Sequence, residues 1–332
     1  MYNTLKSLCL TSGVSGREQA ICALLAEKIA PFADEVSTDA LGNLIALRRG
    51  TAENKQKIML CAHMDEIGFL VTFIEESGMI RIAPVGGISW TACAYGAVVS
   101  EKGVSGVLVP EAQAKSSDFA ADKFVIDIGA KNKKEAERRV SIGDFFVLKP
   151  SLTRLCGKRV AGRPLDDRIG CAILLKIAEH FAAVAPKHDL YYVFSVQEEV
   201  GCRGAKPASF AIAPDYALIF DVTGTGDATG AKPMACRLSD GAAIKIKDSS
   251  VICHTEVVDL LTDLAKQKKI AHQHEILPYG GTDTSSVQMS GMGCRAGAIS
   301  IPTRYIHSGV EMLDLADAEA CVALACAFSD AV

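Results

Sequence analysis

The chain has 332 residues, of which 49% are hydrophobic and 22% charged, enough apolar surface for a substantial core and too much for a disordered chain. A formal net charge of −4 gives no electrostatic reason to expect nucleic acid or an anionic membrane as partner. No apolar run approaches the ~20 residues that a membrane span requires.

The first ten residues, Met1–Leu10, carry no basic start, apolar run and small-residue cleavage site of a secretory leader. The twelve cysteines are scattered singly, with no Cys-x-x-Cys. Both features point to a cytoplasmic protein with reduced, mostly buried thiols. Ser15-Gly-Arg-Glu18 has the spacing of a capping box ahead of a helix over Gln19–Ile29. Leu44–Arg48 and Lys57–Ala62 read as strands, the second running into His63-Met-Asp65. Between about 69 and 155 the texture changes to short apolar runs punctuated by glycine and proline: Phe69–Ile74, Ile80–Ile82, Ala97–Val99, Val104–Val109, Phe124–Ile128 and Phe145–Leu148. One charged helical segment, Lys131–Arg139, interrupts them. Longer strands and helices then alternate: a helix over Arg168–Ala183, strands over Leu190–Val196 and Tyr216–Asp221, a helix over Thr255–Gln267, a strand over Ala296–Ile301 and a closing helix over Ala316–Ala327. The pattern predicts an α/β domain, 1–68 plus 156–332, carrying an inserted β-rich module at 69–155.

Charged residues gather where the strands end. His63 and Asp65 follow one strand, Glu198-Glu199 terminate the run Tyr191–Val196, Asp221 ends another, and His307 follows a fourth. Asp166 and Asp167 open a helix, where a lone aspartate reads first as an N-cap. A buried strand has no use for two adjacent glutamates unless something takes up their charge, and the carboxyl ends of strands in open α/β sheets are where ligands sit. Imidazole and carboxylate together suit zinc, cobalt or manganese, and a bridging carboxylate holds two such ions ~3.5–4 Å apart. One geometric condition follows. Neighbouring residues of a regular strand face opposite ways, so Glu198 and Glu199 reach one site only if the strand breaks before them.

The ordered set His63-x-Asp65, Leu165-Asp-Asp-Arg168, Glu198-Glu199-x-Gly201, Asp221-Val-Thr223, Gly280-Gly-Thr-Asp283 and Pro302–His307 resembles the M42 family of dinuclear metallo-aminopeptidases, relatives of the tetrahedral (TET) aminopeptidases and often labelled glutamyl aminopeptidase or endoglucanase M. The resemblance covers nearly the whole chain. It implies an α/β/α sandwich with a mixed sheet of the zinc-peptidase type and a β-barrel-like dimerisation domain at 69–155. It implies two divalent metals per subunit, zinc or cobalt or manganese, with Asp166 bridging them, His63 and Asp221 completing one ion, and Glu199 and His307 the other. Glu198 is then the general base toward a metal-bridging water, and Asp65 fixes the tautomer of His63. The expected activity is removal of N-terminal residues from short peptides, in a homododecamer built from dimers, with no nucleic-acid or membrane partner.

Two loops depart from the family pattern: Gly224 stands where many relatives carry histidine, and Ser285-Ser-Val-Gln288 replaces a run of small residues. Both are expected to line the substrate pocket. Arg203, Arg237, Arg295 and Arg304 are candidates for a cation selecting acidic substrates, against an aliphatic pocket. Two other readings compete. A glycosidase would use Glu198 and Glu199 as its carboxylate pair, but that scheme leaves both histidines and Asp221 without a role. A non-catalytic assembly subunit would hold its metal in a closed, cysteine-rich site, unlike this set.

Overall fold

A computed structural model describes residues 1–332. Its larger unit is built on an 11-stranded mixed sheet. At the centre, Asp189–Ser195, Lys57–His63, Tyr216–Thr223 and Arg295–Arg304 lie side by side and parallel. Leu44–Arg48 and Glu35–Thr38 extend one edge in antiparallel fashion. Beyond Arg295–Arg304 the sheet divides into the pair Ala242–Lys247 and His272–Ile276, and the ribbon Glu311–Asp314, Arg159–Arg163 and Ser151–Arg154.

The central strands are apolar at almost every position because both of their faces are covered. In Lys57–His63, Ile58, Leu60 and Ala62 pack into the core beneath helices Arg168–Ala183, Thr255–Gln267 and Leu315–Ala331, whereas Met59 and Cys61 face the smaller core under Ala205–Ile212. Tyr216–Thr223 splits the same way, with Leu218 and Phe220 to one face and Ala217 and Ile219 to the other. This is the two-residue side-chain period of a strand read by two helical layers, and it gives the expected α/β/α arrangement.

The β-rich insertion closes into a separate antiparallel barrel of six strands: Gly68–Ile74, Ile80–Val85, Phe124–Asp127, Ser105–Pro110, Ala97–Ser100 and Phe145–Leu148, in that spatial order. Closure leaves no unpaired edge. Phe69, Phe124 and Phe146 fill it, and Trp90 packs 4.9 Å from the Phe124 ring. The charged helix of the insertion, Lys133–Glu137, is shorter than its sequence pattern and starts where the Asn132 side chain accepts from the backbone N–H of Glu135. The strand Ser151–Arg154 pairs with Arg159–Arg163 of the large sheet, not with the barrel. No helix is long and apolar enough to cross a membrane.

Candidate metal centre

The parallel register places the chemistry. Ser195 pairs with His63 and Asp221 with Ser300, so the segments that follow leave the sheet at the same end. The strand before the two glutamates stops at Ser195, and Gln197 adopts a left-handed φ of +56°. That break re-aims the chain, and both Glu198 and Glu199 line the same cavity. Asp65 holds the turn: its Oδ1 accepts from Glu198 N–H at 3.0 Å and its Oδ2 from Glu199 N–H at 3.2 Å. Gly204 lets the chain turn back, since a Cβ there would lie 2.4 Å from the Val196 carbonyl oxygen.

Asp65 Oδ1 also lies 3.4 Å from Nδ1 of His63. The capping box does not form. Ser15 donates to Asp65 Oδ2 at 2.7 Å instead, and Glu18 accepts from the backbone of Gly16 and Gln197. The helix Gln19–Ile29 begins without a side-chain cap. Residues of N-cap type are equally good partners for a buried carboxylate and loop amides, and here the tertiary contacts win.

The two aspartates at the helix start divide their work. Asp167 is the N-cap, accepting from Gly170 N–H at 3.1 Å. Asp166 lines the cavity, with Oδ1 3.2 Å from Nε2 of His63 and Oδ2 3.2 Å from Nε2 of His307. Asp221 Oδ1 is 3.8 Å from His63 Nε2, and Glu199 Oε2 is 3.1 Å from His307 Nε2. Donor atoms of His63, Asp166 and Glu199 lie within 4.8 Å of one another, as do those of His63, Asp167 and Asp221.

Glu311 braces the centre and was not legible in the sequence. It opens the strand Glu311–Asp314, and its Oε2 accepts from the N–H of Leu165 at 2.6 Å and of Asp166 at 3.1 Å. Its Oε1 accepts from His307 N–H at 3.3 Å and lies 3.6 Å from Arg163 Nη1. Arg163 is buried and donates to the Ser308 carbonyl. His307 itself has a left-handed φ of +60°, and its carbonyl accepts from Ser89 N–H at 3.1 Å. The approach is tight: a Cβ on Gly87 would stand 3.0 Å from His307 Nδ1. The segment just after the barrel strand Ile80–Val85 therefore packs directly on this histidine.

The electrostatics fit a cation-binding centre. Burial pushes the carboxyls of Glu198 and Asp221 well above their ordinary range, and that of Glu199 upward. Burial opposes ionisation of Asp166 too, but its hydrogen bonds from His307 and His63 hold it well below that range. Burial disfavours charge on His307, yet Asp166 and Glu199 push it up to about 11. Two imidazoles cannot neutralise four buried carboxylates. Divalent cations bound by these oxygen and imidazole donors would.

The donors line a cavity of about 650 Å³. Val222, Met234, Leu277, Tyr279 and Ile306 add apolar surface to its lining. Of the four candidate arginines only Arg304 lines it, and Asp227 neutralises it with contacts of 3.2 Å to Nε and 2.6 Å to Nη2. Arg295 lies elsewhere, paired with Glu256 and set over the Tyr216 ring. Gly224 lines the cavity as expected, but Ser285–Gln288 does not: it forms most of the helix Asp283–Gln288, and Ser286 donates to the Cys202 carbonyl. Lys232, a cavity cation that the sequence reading did not single out, is exposed 5.9 Å from the Tyr279 ring.

The profile of the M42 glutamyl aminopeptidase family matches residues 42–324. A lysyl aminopeptidase of Pyrococcus furiosus is 34% identical over 98% of this chain and 95% of its own. Among solved structures, an aminopeptidase from the archaeon Desulfurococcus kamchatkensis superposes with a TM-score of 0.95 at 35% identity, over 99% of this chain and 94% of that one. The TET1 peptidase of Pyrococcus horikoshii, described as assembling into a tetrahedron or a large octahedral shell, has a TM-score of 0.89 at 33% identity, over 100% and 99% of the two chains. The fold and the donor set define a metallo-aminopeptidase. The chain belongs to the M42 family.

Proposed function

We propose that this enzyme removes N-terminal residues from short peptides at a dinuclear centre. Asp166 would be shared between two divalent cations, with His63 and Asp221 as the further ligands of one and Glu199 and His307 of the other. One observation carries the reading: Asp166 alone directs its two carboxylate oxygens to two histidines, 3.2 Å from each. Asp167 has spent one oxygen on its helix cap. When bound, the cations polarise the scissile carbonyl and make the attacking water a stronger acid.

Glu198 ligates neither ion in this scheme. Its carboxyl faces the cavity, takes a proton from the attacking water and returns it to the leaving amine. Asp65 is a positioning residue twice over, orienting the His63 ring and holding the backbone of Glu198 and Glu199. Zinc, cobalt and manganese all suit the donor set. A glycosidase needs two carboxyls on opposite sides of a bond, and successive residues of one turn held by a single aspartate do not supply that.

The barrel serves as the dimerisation domain of a homododecamer, a reading supported by the tetrahedral assembly described for the Pyrococcus horikoshii relative. A cytoplasmic, reducing location agrees with twelve cysteines that are all free. The test is metal content measured together with hydrolysis of a panel of aminoacyl-anilides, before and after chelation. Two metals per chain and chelator-sensitive release are expected. Turnover that survives complete removal of metal sinks the proposal.

A further inference from the structure

Beside the proposed dinuclear centre lies a cluster that the mechanism above does not use. Cys202 follows the two glutamates at a left-handed φ of +51° and donates its thiol to Glu198 Oε1 at 3.2 Å. Behind them sits Asp283, only 1% exposed, at the start of the helix Asp283–Gln288. Its Oδ2 accepts from Ser195 Oγ at 2.5 Å, while its Oδ1 is buried with no hydrogen-bond partner. One donor atom each from Glu198, Cys202 and Asp283 lie within 4.8 Å of one another. An unpaired buried carboxylate oxygen is costly unless a proton or a cation satisfies it. Glu198 and Cys202 both line the open cavity, so the cluster is reachable from solvent.

We infer that Glu198, Cys202 and Asp283 form a third cation site, which takes a thiophilic divalent ion such as zinc or cobalt and thereby inhibits the enzyme. Two carboxylates and one thiolate supply three ligands and leave a fourth position toward the cavity, the donor number of an open tetrahedral site. The thiolate is what selects: zinc and cobalt accept it, whereas magnesium and calcium prefer oxygen alone. As the metal–sulfur bond forms, the Cys202 thiol proton leaves to solvent, and no redox change is involved. A metal on Glu198 ties up the carboxyl that moves the proton. This inhibitory consequence rests on the role proposed for Glu198, but the site itself does not.

The test is titration of the two-metal holoenzyme with cobalt(II), following bound metal by equilibrium dialysis, the near-ultraviolet spectrum, and hydrolysis of an aminoacyl-anilide. A third cobalt per chain is expected, with a sulfur-to-cobalt charge-transfer band and a fall in turnover of roughly 10²-fold, the scale of general-base catalysis. Cys202→Ser should hold two cobalts and show neither the third nor the band. Excess magnesium should leave turnover unchanged. Wild-type protein that stops at two metals with no sulfur band overturns the inference whatever the variant does, and so does a third cobalt retained by Cys202→Ser. A two-metal holoenzyme that hydrolyses no anilide would strike at the proposed peptidase mechanism instead, leaving the metal count and the band to decide this site.

Discussion

Asp166 and His307 meet at 3.2 Å, Oδ2 to Nε2, although 140 residues of chain separate them. Because the other oxygen of Asp166 faces His63, this one carboxylate contacts both histidines. Asp166→Asn keeps the shape but removes the negative charge and replaces one of the two acceptor oxygens by an NH2 donor. The expected outcome is less than one metal per chain and activity equal to that of the chelated wild type, read by metal analysis and anilide hydrolysis. A variant that keeps two metals and full turnover would remove Asp166 from the bridge.

Glu198→Gln separates metal binding from proton transfer. Two metals should stay bound while kcat falls by roughly 10²–10⁴-fold, the usual worth of a general acid–base group. Loss of metal in this variant would instead make Glu198 a ligand.

Glu311 touches no proposed reacting atom, yet it holds the backbone on both sides of the centre. Glu311→Gln retains an acceptor, and metal affinity should drop about 10–100-fold, the range found for groups that orient metal ligands. Glu311→Ala should do worse for a second reason. It leaves the N–H groups of Leu165, Asp166 and His307 with no side-chain acceptor at all, and each buried donor so orphaned costs about 1–3 kcal/mol. Equal effects of the two substitutions on thermal unfolding of the metal-free protein would contradict this account.

Substrate preference turns on Arg304. Paired with Asp227, it presents little net charge to a cavity also lined by Val222, Met234, Leu277, Tyr279 and Ile306, and the second cation there, Lys232, is solvent-exposed and therefore screened. Aliphatic N-terminal residues should therefore be cleaved with higher kcat/KM than acidic ones. Asp227→Asn frees the guanidinium and should shift that ratio toward glutamyl-anilide by about tenfold, about 1.4 kcal/mol of transition-state discrimination. Arg304→Ala should produce no such shift. Steady-state kinetics on leucyl- and glutamyl-anilides decide it.

Much of this arrangement was readable in the chain because it rests on local patterns. Continuous apolar runs identify the doubly covered strands, and charged residues at their ends mark the centre. What was hidden depends on pairing across the sheet. Strands such as Glu35–Thr38, with no buried residue, and Glu311–Asp314, only four residues long, carry too little periodicity to announce themselves. Ser15 and Glu18 were legible as polar residues before a helix, but their true partners, Asp65 and the Gln197 backbone, are 50 and 179 residues away. The same distance concealed Glu311, whose value comes from a strand that returns beside Asp166. The break before Glu198 was required by the chemistry, but the residue absorbing it, Gln197, is not a glycine and gave no signal.

The tight packing of Gly87 against His307 has a consequence for how the enzyme becomes competent. The residues of the centre are drawn from points between His63 and His307, and the barrel segment closes over the last of them. No fragment that stops short of His307 holds all of the proposed donors. On the proposed assignment, hydrolysis requires the C-terminal strands to be docked, so a copy truncated before His307 should be inert toward unfolded peptides. On the same assignment, metal capture would mark the end of folding and stabilise only the finished chain, by an amount that grows with free metal concentration.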